Sequence, residues 1–341
     1  NQNADNVSSS PDEEIGLAVV HFRPLDSWRG EFGFDWLRVD DGNLLPNDSV
    51  YETIIDGGYG NGVVDLTGYD PRGVVISTAY EMLKTQYYHN CIRKKDITNT
   101  NIEYFVPYLS LFSKEFVDKL AASPNRPAVL PQYEAEIQLL IEIEEDIDRL
   151  EFEYEKEFFK LDKNILSHKT KTSLTKGETI KITCLKDLDR DKEIKIYAYP
   201  KKTEQKIGEN KGVKTPLDNL PPEIYFFINR KLAGRIIVLQ NNYQAREEQK
   251  FVFVPVITNI TGRSEEKGEF GTEETINFYN SLYQSLVIPI VECYSGYLDL
   301  SANQDFQVCR DERGNLVRGK YIFGRTFALF EDWEEKNSDG T

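Results

Sequence analysis

The tightest constraint on this chain is the alternation that begins at Ala135. Ile137, Leu139, Ile141 and Ile143 take every second position, with Glu136, Gln138, Leu140, Glu142 and Glu144 between them. A period of two sends successive side chains to opposite faces of an extended backbone, so the segment reads as a strand with one face in a core. An acidic turn, Glu145-Asp-Ile-Asp148, follows, and then Leu150, Phe152 and Tyr154 alternate with Glu151, Glu153 and Glu155. The two runs are predicted to pair as a hairpin. Further alternation at Ile180, Ile182 and Cys184, at Ile194, Ile196 and Ala198, and at Ile236 and Val238 after Gly234 comes with almost no helical spacing. Several short strands separated by turn signals predict an Ig-like β-sandwich over 132–250, with its glutamate-rich face in water and so guarded against edge pairing.

The flanking segments differ. Residues 1–14 read as a flexible leader, and an N-terminal mixed β domain is expected over 15–131. In it Ile15–Phe22 forms one strand stopped by Pro24, Leu25–Gly30 a turn, Phe32–Val39 a second strand, and Lys114–Leu120 a short helix. The glycine-rich stretch Asp56–Gly62 and the strand-like Gly73–Tyr80 lie between. Beyond 250, the nearly continuous apolar run Phe251–Ile257 predicts a strand buried on both faces. Thr272 suits an N-cap with Glu273 and Glu274 behind it, Ile276, Tyr279, Leu282 and Leu286 have helical spacing, and Leu286–Cys293 is strand-like again. That order predicts a partial α/β unit over 251–341. The fold class is therefore mainly β, α+β overall, and 341 residues accommodate two or three such domains.

Charge removes some partners. With 41 Lys and Arg against 57 Asp and Glu, a net −16, the chain repels phosphate backbones, and no local basic stripe offsets this, so nucleic acid is not an expected partner. The longest uninterrupted apolar runs, such as Gly73–Ile76 and Leu139–Ile141, fall far short of the roughly 18 residues that cross a bilayer, so no membrane insertion is expected. Asn1–Asp12 lacks the basic-then-apolar order of a classical export signal, which leaves the sequons at Asn6, Asn47 and Asn259 without weight. Cys91, Cys184, Cys293 and Cys309 are too scattered for a disulfide framework and read mostly as buried thiols.

Reactive side chains are scarce. Only His21, His89 and His168 exist, and there is no HExxH, no GxSxG and no GxxxxGK[ST]. His21, at a strand end, suits a structural role. His89 and Cys91 would share a strand face and are the weak metal candidates, with no third ligand nearby. Asp187, Asp189 and Asp191 imitate the start of a calcium loop, but Lys192 stands where the glycine and Ala198 where the bidentate glutamate belong, so a polar hairpin turn is expected. Paired acids such as Glu144 and Glu145 are expected by chance in so acidic a chain. No catalytic residue is assigned. The aromatic cluster around Trp28 has the composition of interface hot spots. Its alternating members Phe32, Phe34 and Trp36 are expected in the core, leaving Trp28, Arg29 and Arg38 as partner-binding candidates.

The string His21-Phe-Arg-Pro24, with Trp28-Arg-Gly-Glu-Phe-Gly-Phe-Asp-Trp-Leu-Arg38, resembles the amino-terminal region of large bacterial proteins associated with type VI secretion, a contractile injection system. The likeness continues through Leu150–Tyr154, Thr183–Asp187, Glu193–Tyr197 and Leu232–Arg235, and spans most of 17–260. The resemblance implies a non-catalytic docking or delivery module of a secreted effector that binds tube or spike proteins, with a cognate immunity protein or chaperone as further partners. It also implies residence in the cytoplasm of the producing bacterium, followed by injection without a classical signal peptide. Some members carry a zinc-peptidase-like domain, and Phe251–Cys293 is similar to its first strand, helix and strand. The zinc-binding helix is absent from the chain, so on this alternative the metal belongs to a part beyond Thr341, and no cofactor is expected within these residues. The polar tail after Tyr321–Trp333 reads as the edge of a longer polypeptide. A third alternative, a carbohydrate-binding or adhesin-like sandwich, is allowed by the β pattern and 19 tyrosines.

Overall fold

The computed structural model describes residues 14–35, 91–94, 101–104, 106–167, 169–201, 221–258, 266–267, 271–293 and 295–299. The strands begin with β1 (Glu14–Ile15), β2 (Ala18–Pro24), β3 (Gly33–Asp35), β4 (Cys91–Lys94), β5 (Asn101–Tyr104) and β6 (Tyr108–Ser110), followed by helix α1 (Lys114–Ala121). Next come β7 (Glu134–Ile143), β8 (Ile147–Glu153), β9 (Phe159–Leu161), β10 (Ile165–Leu166), β11 (Thr172–Cys184) and β12 (Lys192–Pro200), then α2 (Pro222–Asn229) and β13 (Lys231–Val238). The last elements are β14 (Glu247–Phe253), β15 (Val256–Thr258), β16 (Glu266–Lys267), α3 (Thr272–Tyr283), β17 (Val287–Cys293) and β18 (Leu298–Asp299). The described chain is mainly β.

Contacts divide it into two units, Asn1–Glu247 with Tyr279–Ile288, and Glu248–Phe278 with Pro289–Thr341. The first unit holds two sheets. One runs β10-β8-β12-β13-β1-β4-β5, with β6 also on β13 and β3 on β6; the other runs β2-β7-β11-β9. β12 lies antiparallel along one edge of β13, while the other edge is shared by β1 at Leu232 and β6 at Ile237 and Val238, both parallel to it.

The alternation explains why these sheets face each other. Ile137, Leu139, Ile141 and Ile143 of β7 and Ile180, Ile182 and Cys184 of β11 point into the same cluster as Leu150 and Phe152 of β8, Ile194 and Ile196 of β12, and Ile236 and Val238 of β13. All are buried. Each such side chain removed from water contributes roughly 1.5–3 kcal/mol. A smaller cluster of Ile15, Val19, Tyr104, Val106, Leu232 and Ile237 lies on the other side of β2.

Several expectations are corrected by the pairing. β7 and β8 belong to different sheets, so the chain does not make the predicted hairpin; it crosses between sheets at Glu144–Asp146. Four residue steps from Ile143 to Ile147 reach about 13 Å, enough for the ~10 Å that separates stacked sheets. Alternation alone is identical for strands side by side and strands face to face. The same holds for Asp187–Asp191, which joins β11 to β12 across the sheets instead of closing a hairpin. The run Ile15–Phe22 is two strands. Leu17 adopts φ 68°, and its carbonyl accepts the N–H groups of Glu144 and Glu145 at 2.9 and 3.1 Å, so β1 and β2 leave the bend in different sheets. His21 lies within β2 and stacks on Tyr104 with centroids 5.2 Å apart.

β2 pairs with β7, and β6 with β13, so strands expected in a separate domain over 15–131 are built into the sheets of 132–250. The helix expected at Lys114–Leu120 forms as α1, capped by Ser113, whose hydroxyl accepts the Phe116 N–H at 3.1 Å. α2 was not anticipated in that stretch. Pro222 opens it without needing a donor.

In the second unit β14 and β17 form a two-stranded sheet, and β15 pairs antiparallel with β16 and parallel with β18. The apolar run 251–257 is not buried on both faces. Val252 is 52% exposed, and the run breaks at Val254-Pro255, whose proline has no N–H for a ladder. Phe278 of α3 is held edge-on between Phe251 and Phe253, each at 5.1 Å. The helix starts one residue earlier than expected: Thr272, the expected cap, is already helical, and the Gly271 carbonyl accepts from Thr275 N and Oγ1. Of the expected leader only Glu14 is described, and it belongs to β1; the glycine-rich loop and Gly73–Tyr80 lie outside the described residues.

β2 approaches β13 at Gly234, where an added Cβ would stand 2.3 Å from the Val20 carbonyl oxygen. That same oxygen accepts the Tyr104 hydroxyl at 2.6 Å. Gly234→Ala is expected to lower unfolding stability by about 1–3 kcal/mol, since it forces two backbones apart. Denaturant unfolding of the variant beside the wild type measures this; an unchanged midpoint would show that the approach is not tight.

Candidate functional site

The loop that follows β2 builds a concavity in the first unit. Pro24 ends β2 opposite Ile137 of β7, and residues 25–32 continue beyond that edge. The loop closes on itself: Trp28 N–H donates to Leu25 O at 3.0 Å and the indole Nε1–H to Phe32 O at 3.1 Å. Gly30, at φ +82°, lies against Gln284, where an added Cβ would meet Nε2 at 2.4 Å. Asn280 Nδ2 donates to Arg29 O at 3.4 Å, and Lys176 pairs with Asp26 at 3.2 Å. Both ends and the middle of the loop are therefore tied down.

Beneath it runs the outer face of β7 and β11. The register pairs Glu136 with Lys181 and Glu134 with Thr183, so the residues between the inward Ile137 and Ile182 project together on the opposite side. Leu25, Ser27, Trp28, Glu31, Phe32, Gln132, Glu134, Glu136 and Lys181 enclose a cleft of about 290 Å³. Trp28 and Phe32 form its aromatic part, with ring centroids 5.8 Å apart. Lys181 Nζ lies 3.5 Å from both Glu134 Oε2 and Glu136 Oε1, and Thr183 Oγ1 donates to Glu134 Oε1 at 3.2 Å. The Glu134 charge, with help from Glu136, raises the Lys181 pKa, so the amine stays an ammonium through the neutral range. Three carboxylates and one ammonium line the cleft, two of the carboxylates in contact with that ammonium.

Sequence reading singled out one residue of this cleft, Trp28. It is half-buried, packed on the main core, so part of its role is structural. Arg29 is exposed, but its guanidinium turns back onto the carbonyls of Trp28 and Asp26 at 3.0 and 3.4 Å, and its N–H donates to Glu31 at 2.6 Å. Phe32 and Phe34 are in the core as expected; Trp36 and Arg38 lie outside the described residues. The glutamates and Lys181 were missed. Their alternation was visible, but which strand brings Lys181 beside Glu134 depends on pairing.

A second concavity, about 450 Å³ and lined by Glu153–Glu155, Arg190–Glu193 and Lys195, is internally neutralised. Lys192 pairs with Glu155 at 3.1 Å and Lys195 with Glu193 at 3.2 Å, while Arg230 from outside takes Glu153 at 2.7 Å. It offers a ligand little uncompensated charge.

The metal and nucleophile candidates fare as follows. His89 lies outside the described residues, and of Cys91 only its place in β4 is described. Among the described residues, no group of three or more His, Cys, Asp and Glu side chains could hold a metal ion. Asp187 accepts from Ser113 and from Arg246 at 2.9 Å, whereas Asp191 accepts the Gln240 N–H at 2.8 Å, so these two carboxylates are committed to separate protein donors. Glu144 and Glu142 both bind Arg93, whose side chain is 7% exposed. Cys184 is buried beside Asn241, whose amide donates to Leu111 O at 2.7 Å and to the sulfur at 3.4 Å. Burial pushes its thiol pKa up to about 12, which disqualifies it as a nucleophile at neutral pH.

Among the described residues, no helix is long and apolar enough to cross a membrane. No family model, no curated protein and no solved structure matches the chain.

Cys184 and Cys293 differ in one testable way, since Cys293 is exposed. Brief alkylation near pH 8 is expected to label Cys293 in the native chain and Cys184 only after unfolding, as read by peptide mass spectrometry. Native labelling of Cys184 would contradict its burial.

Proposed function

We propose that the chain is a non-catalytic protein-interaction module and that the Trp28 cleft is where it holds its partner. The single observation that carries this is the cleft itself: two aromatic rings beside three carboxylates with one counter-cation, in a loop anchored from both sides. Its lining holds no histidine or cysteine, and a large aromatic beside charged groups is the composition of an interface hot spot. The two facing sheets, which we read as an Ig-like sandwich, serve as a rigid mount. The strings at His21–Pro24 and Trp28–Arg38 resemble type VI secretion proteins, which makes tube or spike proteins of a contractile injection system the partners to try first, in a delivery role for a secreted effector.

The carbohydrate-binding alternative draws support from the same ring and polar rim, because sugars also stack on tryptophan. Charge separates the two. A sugar site tolerates neutralised glutamates where a cationic partner does not. The zinc-peptidase alternative would need ligands outside the described residues.

Purified tube and spike proteins from the producing bacterium are the appropriate ligands for a direct binding assay. Trp28→Ala is expected to weaken binding at least about tenfold, in line with hot-spot truncation. Because Trp28 also packs on the core, Glu31→Gln/Glu134→Gln serves as a surface control with unchanged melting temperature and reduced affinity. Absence of binding to both proteins, or glycan-array binding unaffected by the glutamate changes, would overturn the docking assignment.

A further inference from the structure

The cleft also indicates what the partner inserts, an inference that rests on the docking reading above. We propose that it receives an arginine side chain of the partner protein, and that the Lys181 ammonium holds the place of the guanidinium until the partner arrives. The ground is charge complementarity. Glu31, Glu134 and Glu136 line the cleft with Lys181 as the one cation among its lining residues. Lys181 reaches its two partners only at the long distance of 3.5 Å, with 40% of its side chain exposed. Exposed pairs of that kind contribute little to stability, so displacing the ammonium costs little.

A guanidinium suits the space better than a second ammonium. Glu134 and Glu136 alternate on one strand face, which sets them about 7 Å apart along the backbone. A planar fork of five N–H donors can serve two carboxylates at once and lay its flat face against an indole, whereas an ammonium is a compact point charge. The volume of about 290 Å³ admits one long side chain. The Lys181 backbone need not move, since its N–H is held by Asp162 Oδ1 at 2.9 Å and only the flexible stem has to swing away. The resident lysine would then act as a specificity device: a neutral or acidic side chain cannot replace the charge it removes.

The test uses the full chain and two small probes, N-acetyl-arginine amide and N-acetyl-norleucine amide, followed by the indole N–H resonance of Trp28, which Trp28→Phe distinguishes from those of Trp36 and Trp333. The arginine probe is expected to shift it saturably, and more weakly at about 0.5 M salt. Lys181→Met should tighten binding about two- to fivefold by removing the competing cation. Glu134→Gln/Glu136→Gln should abolish it. No saturable shift with the arginine probe, or an equal shift with the norleucine probe, overturns the inference. So does unchanged affinity in Lys181→Met, as regards the place-holding role. If Trp28→Ala loses the tube or spike protein while the arginine probe does not bind, docking survives and the arginine assignment falls. If the probe binds but capture of those proteins never occurs, the cation site stands and the partner assignment falls.

Discussion

The two sheets of the first unit depend on one shared apolar core, and that core exists because the chain repeatedly crosses from one sheet to the other. Every crossing has to turn the inward face of one strand toward the inward face of the next. At the corner after β7 this is achieved with the three residues Glu144–Asp146, whose first two N–H groups converge on the carbonyl of Leu17. Leu17 is itself held in a left-handed conformation that costs a leucine about 1–2 kcal/mol. A single carbonyl thus joins the bend between β1 and β2 to the corner between β7 and β8. Arg93 reinforces the same place by reaching Glu142 and Glu144 from β4. With its side chain mostly out of water, losing the arginine would strand two carboxylates.

The far corner is built on a different principle. Asn241 is fully buried; its side-chain oxygen accepts the Leu188 N–H at 2.7 Å while its amide serves Leu111 O and Cys184. Asp187 in the same corner receives Ser113 and Arg246, and Ser113 caps α1. Buried polar groups are tolerable only when satisfied, and here one asparagine satisfies three segments. Asp187 and Asp191, two of the aspartates that imitate a calcium loop, are therefore structural polar partners. Between these corners the outer faces of β7 and β11 are free to carry charge, and the 25–32 loop turns one patch of that face into a cleft.

The cleft shows how much of a site can be read in advance. Trp28 stood out because it belongs to an aromatic cluster of interface composition but not to the alternation that sends Phe32, Phe34 and Trp36 inward. Glu136 was seen, but as a member of a solvated face, because an alternating glutamate says only that it points away from the core. Lys181 was invisible as a partner: it lies 45 residues from Glu136, and only the β7–β11 register places the two opposite each other. The inward residues were legible for the opposite reason. Burial of Ile137, Leu139, Ile180, Ile182, Ile194, Ile196, Ile236 and Val238 follows from alternation whatever the strand order. α2 escaped notice because eight residues opening on a single proline, after a proline cap, carry too little periodicity to distinguish a helical turn from a loop.

What the sequence determined by itself was local: which residues are extended, which face of each strand is apolar, that the chain is acidic and poor in reactive side chains, and that a mainly β fold follows. Those properties are fixed within a few residues by sterics and solvation. Which strands became neighbours, that the alternating runs of β7 and β8 face each other instead of pairing, that Ile15 and Val20 part into different sheets, and that Trp28 meets Glu134 and Lys181 were decided only in the tertiary structure. Backbone hydrogen bonds are chemically the same for every pair of strands, so the choice among pairings rests on how completely all the apolar faces can be buried together.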